Sequence, residues 1–270
     1  TTRDTLLSLE RLKVELRFWK LLKKEVEIEE ISIRNATFDT RDFIDGVVVS
    51  GHLGELFLES HGVVFSPETA RINEFSVKNT DVSLTLGSIE STDTVPSEPL
   101  YWKILLDEID FENVGFALKM PQDSLFVRTM LPKTTLKNGV IDLKEASYYV
   151  KSFGIDNAEL AYGPKEELFL QQIGLQLDSI YYCGKDIRAN IEEFVLKERS
   201  GLELVSTEGR IVSDSVLIEI PKFTMKTTAS SLDLQTKIGW DVLEMKKTGV
   251  LSAKINAEIG KGDVAKILGG

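Results

Sequence analysis

Phe75-Ser76-Val77-Lys78-Asn79-Thr80-Asp81-Val82-Ser83-Leu84-Thr85-Leu86 carries two alternating apolar runs separated by an asparagine. Phe75 and Val77 share one parity, and Val82, Leu84 and Leu86 share the other. Alternation of period two is the signature of a strand with one face apolar and the other polar. The same arrangement stands at Ile31, Ile33, Asn35, Phe38 and at Ile109, Phe111, Asn113, Phe116. Variants follow around Asn138 and Asn157, and later copies at Phe194–Leu202 and Phe223–Leu232 lack the asparagine. Asparagine tolerates the left-handed backbone of tight turns, so each copy reads as a β-hairpin turning at the asparagine. The irregular gaps between copies exclude propeller blades and fixed-period solenoids. Any large antiparallel sheet satisfies the same pattern.

Outward from these copies the alternation continues almost everywhere, and helical periodicity is scarce. Short helices are expected around Leu16–Lys23, from Ser66-Pro67-Glu68, and at Asp263–Leu268, with Ser66 and Asp263 as caps and Pro67 in the first turn. Residues 88–99 are polar, acidic and proline-bearing, and read as an exposed loop because the strand style resumes at Leu100. No domain boundary is visible, so residues 1–270 are expected to form one repetitive β segment of a longer chain. The expected fold is mainly β, an elongated antiparallel sheet of repeated hairpins curled into an apolar-lined groove. A closed β-sandwich accounts for the same alternation, because one whole face needs cover in either case.

The composition is that of an ordinary globular chain, 42% apolar and 28% charged. Its net charge of −11 argues against nucleic acid and against a surface resting on anionic headgroups. The single Cys183 allows no internal disulfide, and no stretch has the length of a membrane span or signal sequence. No nucleophile elbow, phosphate loop or zinc-spaced cysteine pair is present. Cys183 reads as a packed cysteine rather than a nucleophile. His52, Glu55, Glu59 and His61 are the one cluster with metal-ligand chemistry. On a regular strand His52 faces away from the other three unless Gly54 kinks the chain, and solvated strand residues satisfy the pattern equally well. The chain is therefore expected to be no enzyme and to use no metal or cofactor.

Asp4-Thr-Leu-Leu7, Leu12-Lys-Val14, Trp19-Lys-Leu-Leu22 and Ile28-Glu-Glu-Ile31-Ser-Ile33-Arg-Asn35-Ala36 resemble the TamB family in its Bacteroidetes form. TamB is the inner-membrane component of the translocation and assembly module, within the AsmA-like group. Leu53-Gly54, His61-Gly62-Val63, Pro99-Leu-Tyr-Trp102, Lys119-Met-Pro121, Gly139–Leu143 and Asn157–Tyr162 continue the likeness, which is densest over residues 4–163. The resemblance implies a parent protein anchored in the inner membrane of a Gram-negative cell by a segment absent here. It also implies a periplasmic β-groove serving cell-envelope biogenesis. The partners it implies are phospholipid acyl chains conducted between the two membranes, or outer-membrane assembly machinery and its clients. Groove candidates are Val82, Leu84, Phe111, Phe116 and Leu118, each of which also suits ordinary core packing. End strands of such a segment are expected to be exposed by truncation, a dimerisation or aggregation hazard not found in the parent.

Overall fold

The computed structural model describes residues 6–21, 27–41, 46–65, 68–87, 101–245 and 249–268. Strands dominate, as the alternation predicts: β1 Leu7–Leu16, β2 Ile28–Asp39, β3 Val47–Phe65, β4 Glu68–Leu86, β5 Lys103–Met120, β6 Leu125–Asp142 and β7 Ser147–Tyr162. They continue as β8 Leu168–Cys183, β9 Asp186–Glu198, β10 Glu203–Ser213, β11 Leu217–Thr227, β12 Ser231–Gly239 and β13 Leu251–Glu258. All thirteen belong to one sheet, ordered as they occur in the chain. Neighbours are antiparallel except β4 and β5, which run parallel. The sheet is open, with β1 and β13 at its edges. At about 20–25° of twist per strand, a sheet of this width curls rather than lying flat.

The helices are short. α1 (Phe18–Leu21) and α3 (Lys261–Leu268) fall where the sequence places them, and α2 (Trp240–Leu243) is additional. Asp263 lies within α3 rather than capping it. Its carboxylate accepts hydrogen bonds from the Thr227 and Ser230 hydroxyls, which hold its pKa below the ordinary aspartate range and fasten α3 to the β11–β12 turn. Glu68 opens a strand instead of a helix, while Ser66, Pro67 and the loop at 88–99 lie outside the described residues.

The asparagines are left-handed, as expected, with φ of 50° at Asn35 and Asn79, 54° at Asn113, 52° at Asn138 and 56° at Asn157. They are not at hairpin turns. Each sits inside a long strand, and strands of 18 or 19 residues run straight through the positions where the sequence suggested reversals. The register explains why. Pairing of Arg34 with Glu55 and Ala36 with Leu53 sets Asn35 opposite Gly54. Gly54 faces Asn79, Asn79 faces Asn113, Asn113 faces Pro132, and Pro132 faces Asn157 by the same bracketing of pairs. A crease of irregular residues thus crosses six strands, from β2 to β7.

Two features show how closely the backbones approach there. A Cβ on Gly54 would lie 2.5 Å from the Asn79 carbonyl oxygen, so only glycine fits. Asn113 Nδ2 donates to Asn79 Oδ1 at 3.3 Å, and Asn35 donates to the Glu10 carboxylate. The left-handed residue bends the strand and advances its side-chain phase by one, while the pairing stays one to one across the crease with no inserted residue. That advance is the physical reason for the parity change between Val77 and Val82: apolar side chains stay on one face across the crease.

Among the described residues no large side chain is fully buried, and the buried apolar ones are Ala36, Ala70, Val77, Leu106, Ala158 and Ala161. The accessible surface is 17714 Å². A compact chain of this mass exposes about 12,000 Å². The excess fits a sheet without a second layer, and the described residues form no closed sandwich core.

Candidate functional site: an apolar face crossing the whole sheet

Residues directly opposite one another on neighbouring strands share a face, so the register traces which side chains line up across the molecule. One row takes a single residue from every strand. It begins Val14, Ile31, Leu58, Phe75, Ile109. It continues Leu136, Phe153, Leu177, Ile191, Gly209 and ends Phe223, Leu234, Ile255. No charged or polar side chain interrupts it, and none of its apolar side chains is buried. At Gly209, where the side chain is missing, the Phe223 ring fills the space, 2.7 Å from where a Cβ would stand.

A second row, Leu12, Ile33, Leu56, Val77, Phe111, Thr134, Ile155, Leu175 and Phe194, runs beside it over β1–β9. The two rows interlock where the Phe75 and Phe111 rings meet edge to face, 6.1 Å between centroids. Thr134 is the one polar residue of this row, and its buried hydroxyl has no hydrogen-bond partner. A third row toward the other end of the strands includes Ile104, Ile141, Tyr148, Tyr182 and Ile187, and passes through the buried Ser213 to Ile218.

The five groove candidates fall on this face. Val82 pairs directly with Phe116, and Leu84 with Leu118, beyond the crease from the row containing Phe111. Phe116 is exposed and the other four are half-buried, the state of side chains flanked on their own face and uncovered from above. No member of the longest row was nominated from sequence. Alternation within one strand identifies a face, but only the register identifies which residues of different strands align.

The opposite face is charged. Lys137 meets Glu108 at 2.9 Å, and hydrogen bonding to that carboxylate raises the lysine pKa. Lys78 meets Glu112 at 3.5 Å, and Arg128 and Arg199 both reach Glu166. Such exposed pairs contribute little stability individually. They keep this face wet while the other stays apolar.

The possible metal cluster does not converge. Gly54 lies on the crease, so His52 regains the face of Glu55 and Glu59, yet His52 pairs with Asp81 and Glu59 with Glu74. His61 Nδ1 contacts Asn73 Oδ1 at 2.5 Å, and Asn73 binds Asp107, which Arg71 also holds. From His52 to His61 the strand spans about 30 Å. Among the described residues no group of three His, Cys, Asp or Glu side chains is placed to hold a metal. Cys183 is half-buried rather than packed away, 3.8 Å from the Glu145 carbonyl oxygen.

A depression of about 350 Å³ is bordered by His52, Asp81, Arg128 and Glu159 as well as by Val82 and Phe116. It is a polar-rimmed dent beside the rows. No described helix is long and apolar enough to cross a membrane. No protein-family model matches the chain, and no curated protein matches it.

Proposed function

We propose that this chain is a non-enzymatic β-segment of a TamB-like cell-envelope protein, working in the periplasm to shield phospholipid acyl chains in transit between the inner and outer membranes. The observation that carries the reading is the row from Val14 to Ile255, uncharged on every strand of an open sheet and covered by no second layer among the described residues. A soluble protein rarely leaves an apolar face of this extent without an occupant. Alkyl chains suit it because each methylene removed from water gains about 0.8 kcal/mol and no directional partner is required. Headgroups would stay in water beyond the sheet's margins, and no side chain needs to change protonation.

A second reading has its own support. The open edges at β1 and β13 suit a periplasmic scaffold that adds strands from outer-membrane clients during their assembly. Mass spectrometry of an organic extract, from protein purified without detergent, separates the two. The conduit reading predicts roughly stoichiometric phospholipid from the wild type. It predicts loss of that lipid in Leu84→Glu plus Phe116→Glu, with the far-ultraviolet β signal retained. Lipid-free wild-type protein would instead favour the scaffold.

A further inference from the structure

Aromatic residues with a polar tip are gathered at one end of the strands. All three tryptophans stand there: Trp19 in α1, after β1; Trp102, just before β5; and Trp240, just after β12. So do five of the six tyrosines, Tyr101, Tyr148, Tyr149, Tyr181 and Tyr182, while Tyr162 closes β7 at the other end. The register sets these strand ends side by side, Lys103 opposite Asp142, Asp142 opposite Ser147, Ser147 opposite Cys183 and Leu217 opposite Gly239. Phenylalanine, which has no polar tip, is not sorted in this way: Phe57, Phe75, Phe111, Phe153 and Phe194 lie inside strands. We infer that this margin seats the sheet end-on in the headgroup region of a zwitterionic phospholipid bilayer.

The margin is apolar on both sides of the sheet, unlike the body. Tyr148 pairs with Tyr182 and Tyr149 with Tyr181. Consecutive residues of a strand point to opposite faces, so one tyrosine pair stands on each. The Tyr148 and Tyr182 rings lie 5.9 Å apart in the third row. On the other face Tyr149 and Tyr181 continue from Leu105 and Val140, whereas the body of that face carries Lys137 and Glu108. Trp240 lies across the turns. Its indole Nε1 donates to the Asp214 carbonyl oxygen at 2.7 Å, and the Lys185 ammonium stands 5.0 Å from its ring. Tyr101, Tyr148 and Tyr182 are exposed, as are Val216 and Leu243 beside Trp240, so they are not core residues of this chain. Apart from Trp19, these residues belong to β5–β12, each with a strand on both sides, and do not depend on either edge of the sheet.

Tryptophan and tyrosine settle where one end of the side chain is apolar and the other wet, which is the headgroup level of a bilayer. A protein partner covers a patch on one face, whereas a planar interface entered end-on meets both. Eight strands about 4.8 Å apart give the margin from β5 to β12 a length of about 34 Å. Charge does not select the lipid. Lys103 pairs with Asp142, Arg188 with Asp186 and Lys185 with Glu244, at 3.6, 3.1 and 2.8 Å. The basic groups beside the aromatics are thus neutralised already, and zwitterionic headgroups suit them better than anionic ones. The inference goes beyond the conduit and scaffold readings and holds under either.

The experiment is flotation of the delipidated full chain with vesicles of phosphatidylcholine, alone or with phosphatidylglycerol, at low and high salt, with tryptophan emission read alongside. Wild type is compared with three variants. Tyr101→Ser plus Tyr148→Ser plus Tyr182→Ser changes the margin, and Tyr162→Ser plus Leu168→Ser plus Val205→Ser changes the opposite end. Leu84→Glu plus Phe116→Glu changes the apolar face. The six serine sites are exposed, so those two variants keep the fold. Wild type is expected to float with phosphatidylcholine alone, equally at both salt concentrations, and its tryptophan emission to shift to the blue. The margin variant is expected to bind about ten-fold more weakly, and the other two variants as wild type does. Wild type that stays free of phosphatidylcholine vesicles overturns the inference. So does binding that needs phosphatidylglycerol and is lost in salt, which assigns it to charge. Equal losses in the margin variant and either of the others overturn it too, because they assign the contact to apolar surface elsewhere on the sheet.

Discussion

Asn79 and Asn113 hold φ near +50° in the middle of strands, where any other residue with a Cβ is strained. Asparagine is tolerated because its short amide binds locally, here to the neighbouring asparagine. Asn79→Ala removes that bond while keeping the backbone strain, and is expected to cost about 1–2 kcal/mol in urea denaturation. Asn79→Gly relieves the strain and is expected to stay within about 0.5 kcal/mol of wild type. Equal losses for both would mean that the amide bond, not the dihedral angle, is what matters. The left-handed state was legible in sequence, but its location was not. A turn and a mid-strand crease ask the same thing of one residue, and only the pairing partners tell them apart.

The strands are long, and that too was hidden. A parity change at Asn79 or Asn113 makes one strand of 18 or 19 residues look like two short ones, although the faces were assigned correctly on both sides. Val82, Leu84, Phe116 and Leu118 were therefore found as a true neighbourhood, while Phe111 was grouped with residues across the crease. The parallel step from β4 to β5 had no signature beyond the polar stretch 88–99, since period two says nothing about strand direction. At this scale Thr134 provides a test of the row it interrupts. Its hydroxyl is buried between Phe111 and Ile155 without a partner. Thr134→Val keeps the shape and removes the unsatisfied group, and is expected to stabilise by about 1 kcal/mol, measured by thermal or urea unfolding. A loss of stability would place an ordered water on that hydroxyl.

At the scale of the whole molecule the described strands form one sheet, each packed against its sequence neighbours, with no second layer among the described residues. A compact domain of 270 residues has a radius of gyration of about 18 Å. Thirteen strands about 4.8 Å apart, several of them about 60 Å long, require more. Small-angle scattering at low concentration is therefore expected to give a radius clearly above that of the compact domain. A value near 18 Å would mean that the sheet closes on itself in solution. The sequential order has a further consequence, for inheritance. A hairpin that touches only the strands before and after it can be duplicated or deleted as one genetic event without rethreading the rest. Two strands change the span by about 10 Å and preserve both the direction and the phase of everything downstream. Reach thus becomes a length that evolution adjusts in countable steps, whereas loss of a single strand would reverse every strand that follows.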